Sequence, residues 1–150
     1  MKTLVQNRKA SFEYIFLDVY TAGIKLLGSE VKAIRENNVT ISNGHCYFKD
    51  GELYVKGMHI SEHKESGKYQ NHDPLRERKL LLKKKELKKL LAGIEVKGNT
   101  IIPISLGLSS TGYVKLQIAL AKGKKLHDKK QVLKEKAIDL TEQRESKNRY

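Results

Sequence analysis

Two runs of β-forming residues flank Asp50-Gly51 in Cys46-Tyr-Phe-Lys-Asp-Gly-Glu-Leu-Tyr-Val-Lys56. A two-residue turn of this kind needs positive φ at its centre, which Asp-Gly tolerates and strand twist favours. The segment is therefore predicted to be a hairpin, with His59 and Ile60 prolonging its second arm. Ser11–Tyr20 is aromatic and β-branched and reads as a strand, and Gly23–Gly28 as a second, shorter one. In Tyr113–Leu120, Val114, Leu116, Ile118 and Leu120 alternate with Lys115 and Gln117, as in a strand with one wet face. Thr100–Leu106 precedes it across the turn residues Gly107 to Gly112.

Two helices are expected among these strands. Ser29 is placed as N-cap of the first, with Glu30 in its first turn, Val31, Ala33 and Ile34 on one side, and Asn37-Asn38 ending it after Arg35. Asp73-Pro74, an acid before a proline, opens a second helix predicted to run to Leu90 or Leu91 and stop at Gly93. Ser61 to Asn71 reads as a loop. At least five short strands around two helices, mostly antiparallel, indicate a mainly β chain: an OB-like β-barrel with helical insertions. Residues 1–127 form this barrel. Residues 128–150 carry too thin an apolar stripe (Leu133, Ala137, Leu140) to pack on a core and are expected to be a disordered basic tail, helical only on binding.

Charge narrows the partner. Thirty Lys+Arg oppose 17 Asp+Glu, a net +13. Residues 76–89 hold eight basic and two acidic side chains, and residues 122–150 ten and five. Such a balance selects a polyanion. A membrane surface would call for a basic helix with Trp or other large apolar residues opposite, and the chain has no Trp. No apolar run approaches the roughly 18–20 residues that cross a bilayer, and the N-terminus lacks a signal-like stretch. Cys46, the single cysteine, fits a reducing cytoplasm.

His59, His63, His72 and Cys46 invite a metal hypothesis. A strand end does not bring i and i+4 together, and there is no second cysteine, so no metal site or cofactor is expected. No phosphate loop, nucleophile elbow or paired carboxylates are present, and Glu30 reads as a dipole-stabilising acid, so an enzyme is not expected. The basic clusters remain. In Lys122, Lys124, Lys125, Lys129 and Lys130 the lysines suit phosphates, and the embedded His127 suits stacking on an unpaired base.

The ordered blocks Asn7-Arg-Lys-Ala10, Ala22-Gly-Ile24, Gly28-Ser-Glu-Val-Lys-Ala-Ile-Arg35, His59-Ile60, Asn71-His-Asp-Pro74, Arg78-Lys-Leu-Leu-Leu82, Ala121-Lys-Gly-Lys-Lys125 and His127-Asp-Lys-Lys130 resemble the small protein B family of bacterial trans-translation. The resemblance spans nearly the whole chain. It implies an OB-like barrel that binds the tRNA-like domain of tmRNA and brings it to stalled ribosomes, acting in the cytoplasm and monomeric when free. It implies tmRNA contacts around Asn7, Lys9, Thr21, Ala22, Gly23, Glu30, Lys32, Arg35, Arg76, Arg78, Lys79, Leu81 and Lys83. It places Lys122, Gly123, Lys124, Lys125, His127, Asp128, Lys129 and Lys130 at the ribosomal decoding centre, with Gly123 letting the tail turn from the barrel towards the empty mRNA channel. Four positions depart from the family pattern: Thr21 for Glu, Lys83 for Asn, Gly107 for an aromatic, and Lys130 for an Arg whose bidentate fork is lost. The alternative reading is a structural ribosomal-RNA-binding protein.

Overall fold

The computed structural model describes residues 1–62 and 72–124. In chain order the elements are β1 (Lys2–Gln6), α1 (Arg8–Glu13), β2 (Tyr14–Ile24), α2 (Gly28–Arg35), β3 (Val39–Thr40), β4 (His45–Lys49), β5 (Glu52–Lys56), β6 (His59–Ile60), β7 (Arg78–Leu81), α3 (Lys84–Ile94), β8 (Asn99–Leu108) and β9 (Val114–Gly123). Strands β8, β4, β5, β7, β2 and β9 pair in that order, and β9 pairs back on β8, closing a ring. Every pairing in the ring is antiparallel, and β1 adds to β8 from outside it. Leu53, Val55, Met58, Leu80, Ile101, Leu106, Leu116 and Ile118 fill the interior. Ala33 and Ile34 of α2 join this core, as does Leu90 of α3. A smaller cluster outside it seats Ala10 of α1 on Ile102, Ala119 and Ala121. The wet face of β9 therefore ends after Gln117, because α1 packs over Ala119 and Ala121.

The hairpin forms as expected: Asp50 and Gly51 adopt φ of 53° and 78°, and Tyr47 faces Tyr54 across it. Its second arm stops at Lys56. Gly57, at φ 78°, has no room for a side chain, since a Cβ would lie 2.4 Å from the Asn43 carbonyl oxygen. His59-Ile60 thus does not extend the arm but pairs separately with Val39-Thr40.

Four further expectations change. Residues 11–13 end helix α1, because the Asn7 side chain accepts from the Ala10 N–H and starts a helix there. The strand after it runs unbroken from Tyr14 to Ile24, absorbing the separate strand expected from Gly23. Helix α2 starts at Gly28 with Leu27 as N-cap; Ser29 lies inside it, and Glu30 reaches back to accept from the Leu27 N–H at 2.8 Å. The long helix from Asp73 does not form. Asp73 makes only a local turn, accepting from Leu75 N–H through its carboxylate and from Arg76 N–H through its carbonyl. Arg78–Leu81 is then strand, and the helix begins at Lys84 with Glu86 capping Lys83 N–H at 3.0 Å.

Strand β8 continues two residues past the expected Leu106, so Gly107 lies within it opposite Thr3 and Lys115. A Cβ at Gly107 would stand 2.3 Å from the Lys2 carbonyl oxygen. A larger residue there requires β1 to move away. Gly123 is likewise not a hinge. It pairs with Tyr14, and Lys124 N–H still donates to the Glu13 carbonyl at 2.8 Å. The expected disorder and binding-induced helix of residues 128–150 lie outside the described residues.

Candidate nucleic-acid interface

A strand register places residues in rows across a sheet, and two rows on the outside of the ring bring the predicted positions together. Leu81 faces Gly23, Gly23 faces Lys115, and Lys115 faces Gly107. Beside it run Thr21, Gln117 and Ser105, with Ser105 Oγ donating to Gln117 Oε1 at 3.0 Å. Leu81 is 51% exposed. It lies against Gly23, where a Cβ would come within 3.3 Å of the Leu81 Cβ. The glycine thus leaves the leucine flat on the sheet as an apolar island. Lys79 and Lys25 extend the surface on the next row, joined by Lys25 N–H to the Lys79 carbonyl at 2.9 Å. Lys115 and Lys25 lie on this face outside the expected contact set, although the alternation along β9 already puts Lys115 on the wet side.

Beneath this face lies a buried ionic cluster. Glu30 and Arg78 are both fully buried. Arg78 Nε donates to Glu30 Oε2 at 2.6 Å, its Nη1 to the Met58 carbonyl at 2.7 Å and its Nη2 to the Pro74 carbonyl at 3.2 Å. Arg76 approaches from the rim, its Nη2 at 2.6 Å from Glu30 Oε1 and its Nε at 3.3 Å from Oε2. Burial acts to raise the Glu30 pKa, but donation from Arg76, the Leu27 N–H and Arg78 outweighs it and holds the carboxyl below its ordinary value. His72 completes the support. Its Nε2 faces the Ile60 carbonyl at 2.8 Å and so carries the proton, leaving Nδ1 to accept from Ser29 Oγ at 2.7 Å.

The expected contact residues therefore divide. Thr21, Gly23, Lys79, Leu81 and the exposed edge of Arg76 share the outer face, with exposed Lys83 two residues beyond Leu81. Lys32 and Arg35 are exposed on α2. Lys9 is exposed on α1, 3.9 Å from Glu13. Ala22, Glu30 and Arg78 are in the interior and offer no surface to a ligand. Asn7 is buried as well, capping α1 and donating to the Pro103 carbonyl at 3.0 Å. Asn7, Glu30 and Arg78 hold backbone through these hydrogen bonds, and Ala22 packs in the core. Of the tail positions, Lys122 and Lys124 are exposed and Gly123 is half-buried. Lys125, His127, Asp128, Lys129 and Lys130 lie outside the described residues, as does His63.

Among the described residues no three His, Cys, Asp or Glu side chains come together to hold a metal ion. Burial pushes the Cys46 thiol far up, which makes it an inert core group. No helix among the described residues is long and apolar enough to cross a membrane.

The chain is similar to several known proteins. The SsrA-binding protein of Prochlorococcus marinus strain MIT 9515 is 53% identical over 137 residues, 91% of this chain and 82% of that protein. That of Synechococcus sp. strain JA-2-3B'a(2-13) is 46% identical over 99% of this chain and 96% of its own length. A solved structure described as "tmRNA-SmpB: a journey to the center of the bacterial ribosome" superposes with a TM-score of 0.68 at 43% identity, covering 81% of this chain and 85% of its own. The profile of the SmpB protein family matches residues 4–148. With that match over almost its entire length, the chain belongs to the SmpB family.

Proposed function

We propose that this protein is an RNA-binding adaptor, not an enzyme, that binds the tRNA-like domain of tmRNA and delivers it to stalled ribosomes in the cytoplasm. Membership of a family whose members are named SsrA-binding proteins carries the reading. The outer face supports it, since Lys79, Lys115 and the Arg76 edge suit phosphates while Leu81 over Gly23 suits an apolar contact with a nucleoside. The closed ring is read as an OB-like barrel, a fold whose strands commonly face nucleic acid. Residues 1–127 serve as the tmRNA-binding unit. Residues 128–150 serve as a tail that enters the decoding centre and the vacant mRNA channel; in it Lys129 and Lys130, and in the stretch leading into it Lys122, Lys124 and Lys125, follow phosphate, while His127 meets a nucleotide. The free protein acts as a monomer and uses no cofactor.

Affinity for the tRNA-like domain and for an ordinary elongator tRNA, followed through a salt titration, tests the first half. Any chain with this charge binds both at low salt, so the expected result is a preference for tmRNA that survives at physiological salt. Equal affinities there would overturn the reading. Removal of residues 127–150 tests the second half: tmRNA affinity stays within about twofold, as expected where phosphate contacts are retained, while tagging on stalled ribosomes is lost.

A further inference from the structure

Strands β5 and β7 and the turn from β2 into α2 enclose a recess of about 260 Å³ beside the Leu81 row. Tyr54 forms one wall, and Lys25, Arg76 and Lys79 supply three cations against one carboxylate, Glu77. The recess is braced. The Tyr47 hydroxyl donates to Glu77, and its ring lies 6.1 Å from that of Tyr54 at 31°. Lys56 Nζ sits 4.9 Å from the centre of the Tyr47 ring. Tyr47 is thus held in place by Glu77 and Lys56, and it steadies Tyr54. Arg76 is fixed from behind by Glu30, and its Nη2 lies 3.5 Å from the Lys25 carbonyl. Among the described residues Lys25 has no carboxylate partner, so its charge is free for a ligand.

An aromatic wall beside convergent cations fits one chemistry, a planar base joined to a phosphate. The volume falls below the roughly 300 Å³ at which pockets begin to enclose a whole small ligand. The occupant is then one unit of a larger molecule, with its remainder on the adjoining face. We propose that this recess takes a single unpaired nucleotide of the bound RNA, with its base on Tyr54 and its phosphate among Lys25, Arg76 and Lys79. The proposal rests on the RNA-binding reading above.

Binding of the tRNA-like domain of tmRNA to the full chain, measured by fluorescence anisotropy in a salt series, tests it with three variants. Tyr54→Leu is expected to weaken binding roughly tenfold, the loss of one base stack, and Tyr54→Phe to restore the wild-type value. Lys25→Gln is expected to lower the slope of log affinity against log salt by about 0.7, one phosphate contact of an unpaired strand. Wild-type affinity in Tyr54→Leu, or an equal loss in Tyr54→Leu and Tyr54→Phe, would overturn the base site. An unchanged slope in Lys25→Gln would overturn the phosphate site. Should Tyr54→Leu lower the melting temperature, the exposed Lys25→Gln still decides. A wild-type protein that does not prefer tmRNA over tRNA would instead defeat the functional reading itself, with these variants unaffected relative to it.

Discussion

Arg78 and Lys79 are neighbours in one strand, yet one charge faces the core and the other the solvent. Arg78 is sealed between Glu30 and two carbonyls, and Lys79 stands on the outer face 3.6 Å from a half-exposed Glu52. Removing a charge from water costs several kcal/mol, and the inner one is held with a partner for each of its three guanidinium nitrogens. The outer ion pair is worth about 0–1 kcal/mol and gives way readily to a ligand. Chemically similar side chains thus divide into a group that holds the fold and a group that is left free to bind.

The largest effect should come from breaking the inner set. Arg78→Met leaves the Glu30 carboxylate without its buried partner and is expected to cost ~3–5 kcal/mol in urea unfolding. Adding Glu30→Met should cost less than the sum of the two single changes; simple additivity would mean that the pair is not coupled. Acid comes next. Because the folded pKa of Glu30 is depressed, its stabilisation is fully present above the ordinary value of 4.5 and is lost as pH falls through the lower folded value. Unfolding free energy should therefore fall below pH 4.5, and less steeply in Glu30→Gln.

The outer set should respond in the opposite manner. Lys115→Gln and Leu81→Ala are expected to leave unfolding free energy within about 0.5 kcal/mol. Both should weaken tmRNA binding, the lysine variant with a salt slope reduced by about 0.9. A stability loss matching that of Arg78→Met would erase the distinction between the two groups. Smallest of all is Tyr47→Phe. Its hydrogen bond to Glu77, aided by burial and the nearby carboxylate, pushes the Tyr47 pKa up to about 12. Burial and the hydrogen bond to Asp18 push Tyr20 up to about 12 as well, so an alkaline absorbance titration should lose one of two late tyrosines, with unfolding unchanged.

How much could be read in advance depended on the range of each signal. The Asp50-Gly51 hairpin and the alternating Val114–Leu120 strand carry their signals within a few residues, and both formed. Asp73-Pro74 also acted locally, but a helix start needs a continuing apolar face, and in Arg78-Lys79-Leu80-Leu81 it is the burial that alternates, with a charged residue turned inward and a leucine outward. Four residues are too short for that period to stand out beside the leucines of α3. The interior place of Arg78 was hidden because its partner, Glu30, lies 48 residues away. The Asn7 cap of α1, by contrast, is a local signal in the sequence, masked by the aromatic run after it. The outer face was legible as positions, Thr21, Gly23 and Leu81 among them. Its geometry was not, since the rows depend on register between strands far apart in the chain.

The pairing of Gly123 with Tyr14 and of Lys124 with Glu13 also has a mechanical consequence. Strand β9 is hydrogen-bonded along its length to β2 on one side and β8 on the other. A pull on the chain beyond Lys124 would act along the strand axis, loading both ladders in shear together rather than opening them one bond at a time. The barrel is thus built to take tension along the strand axis at this end.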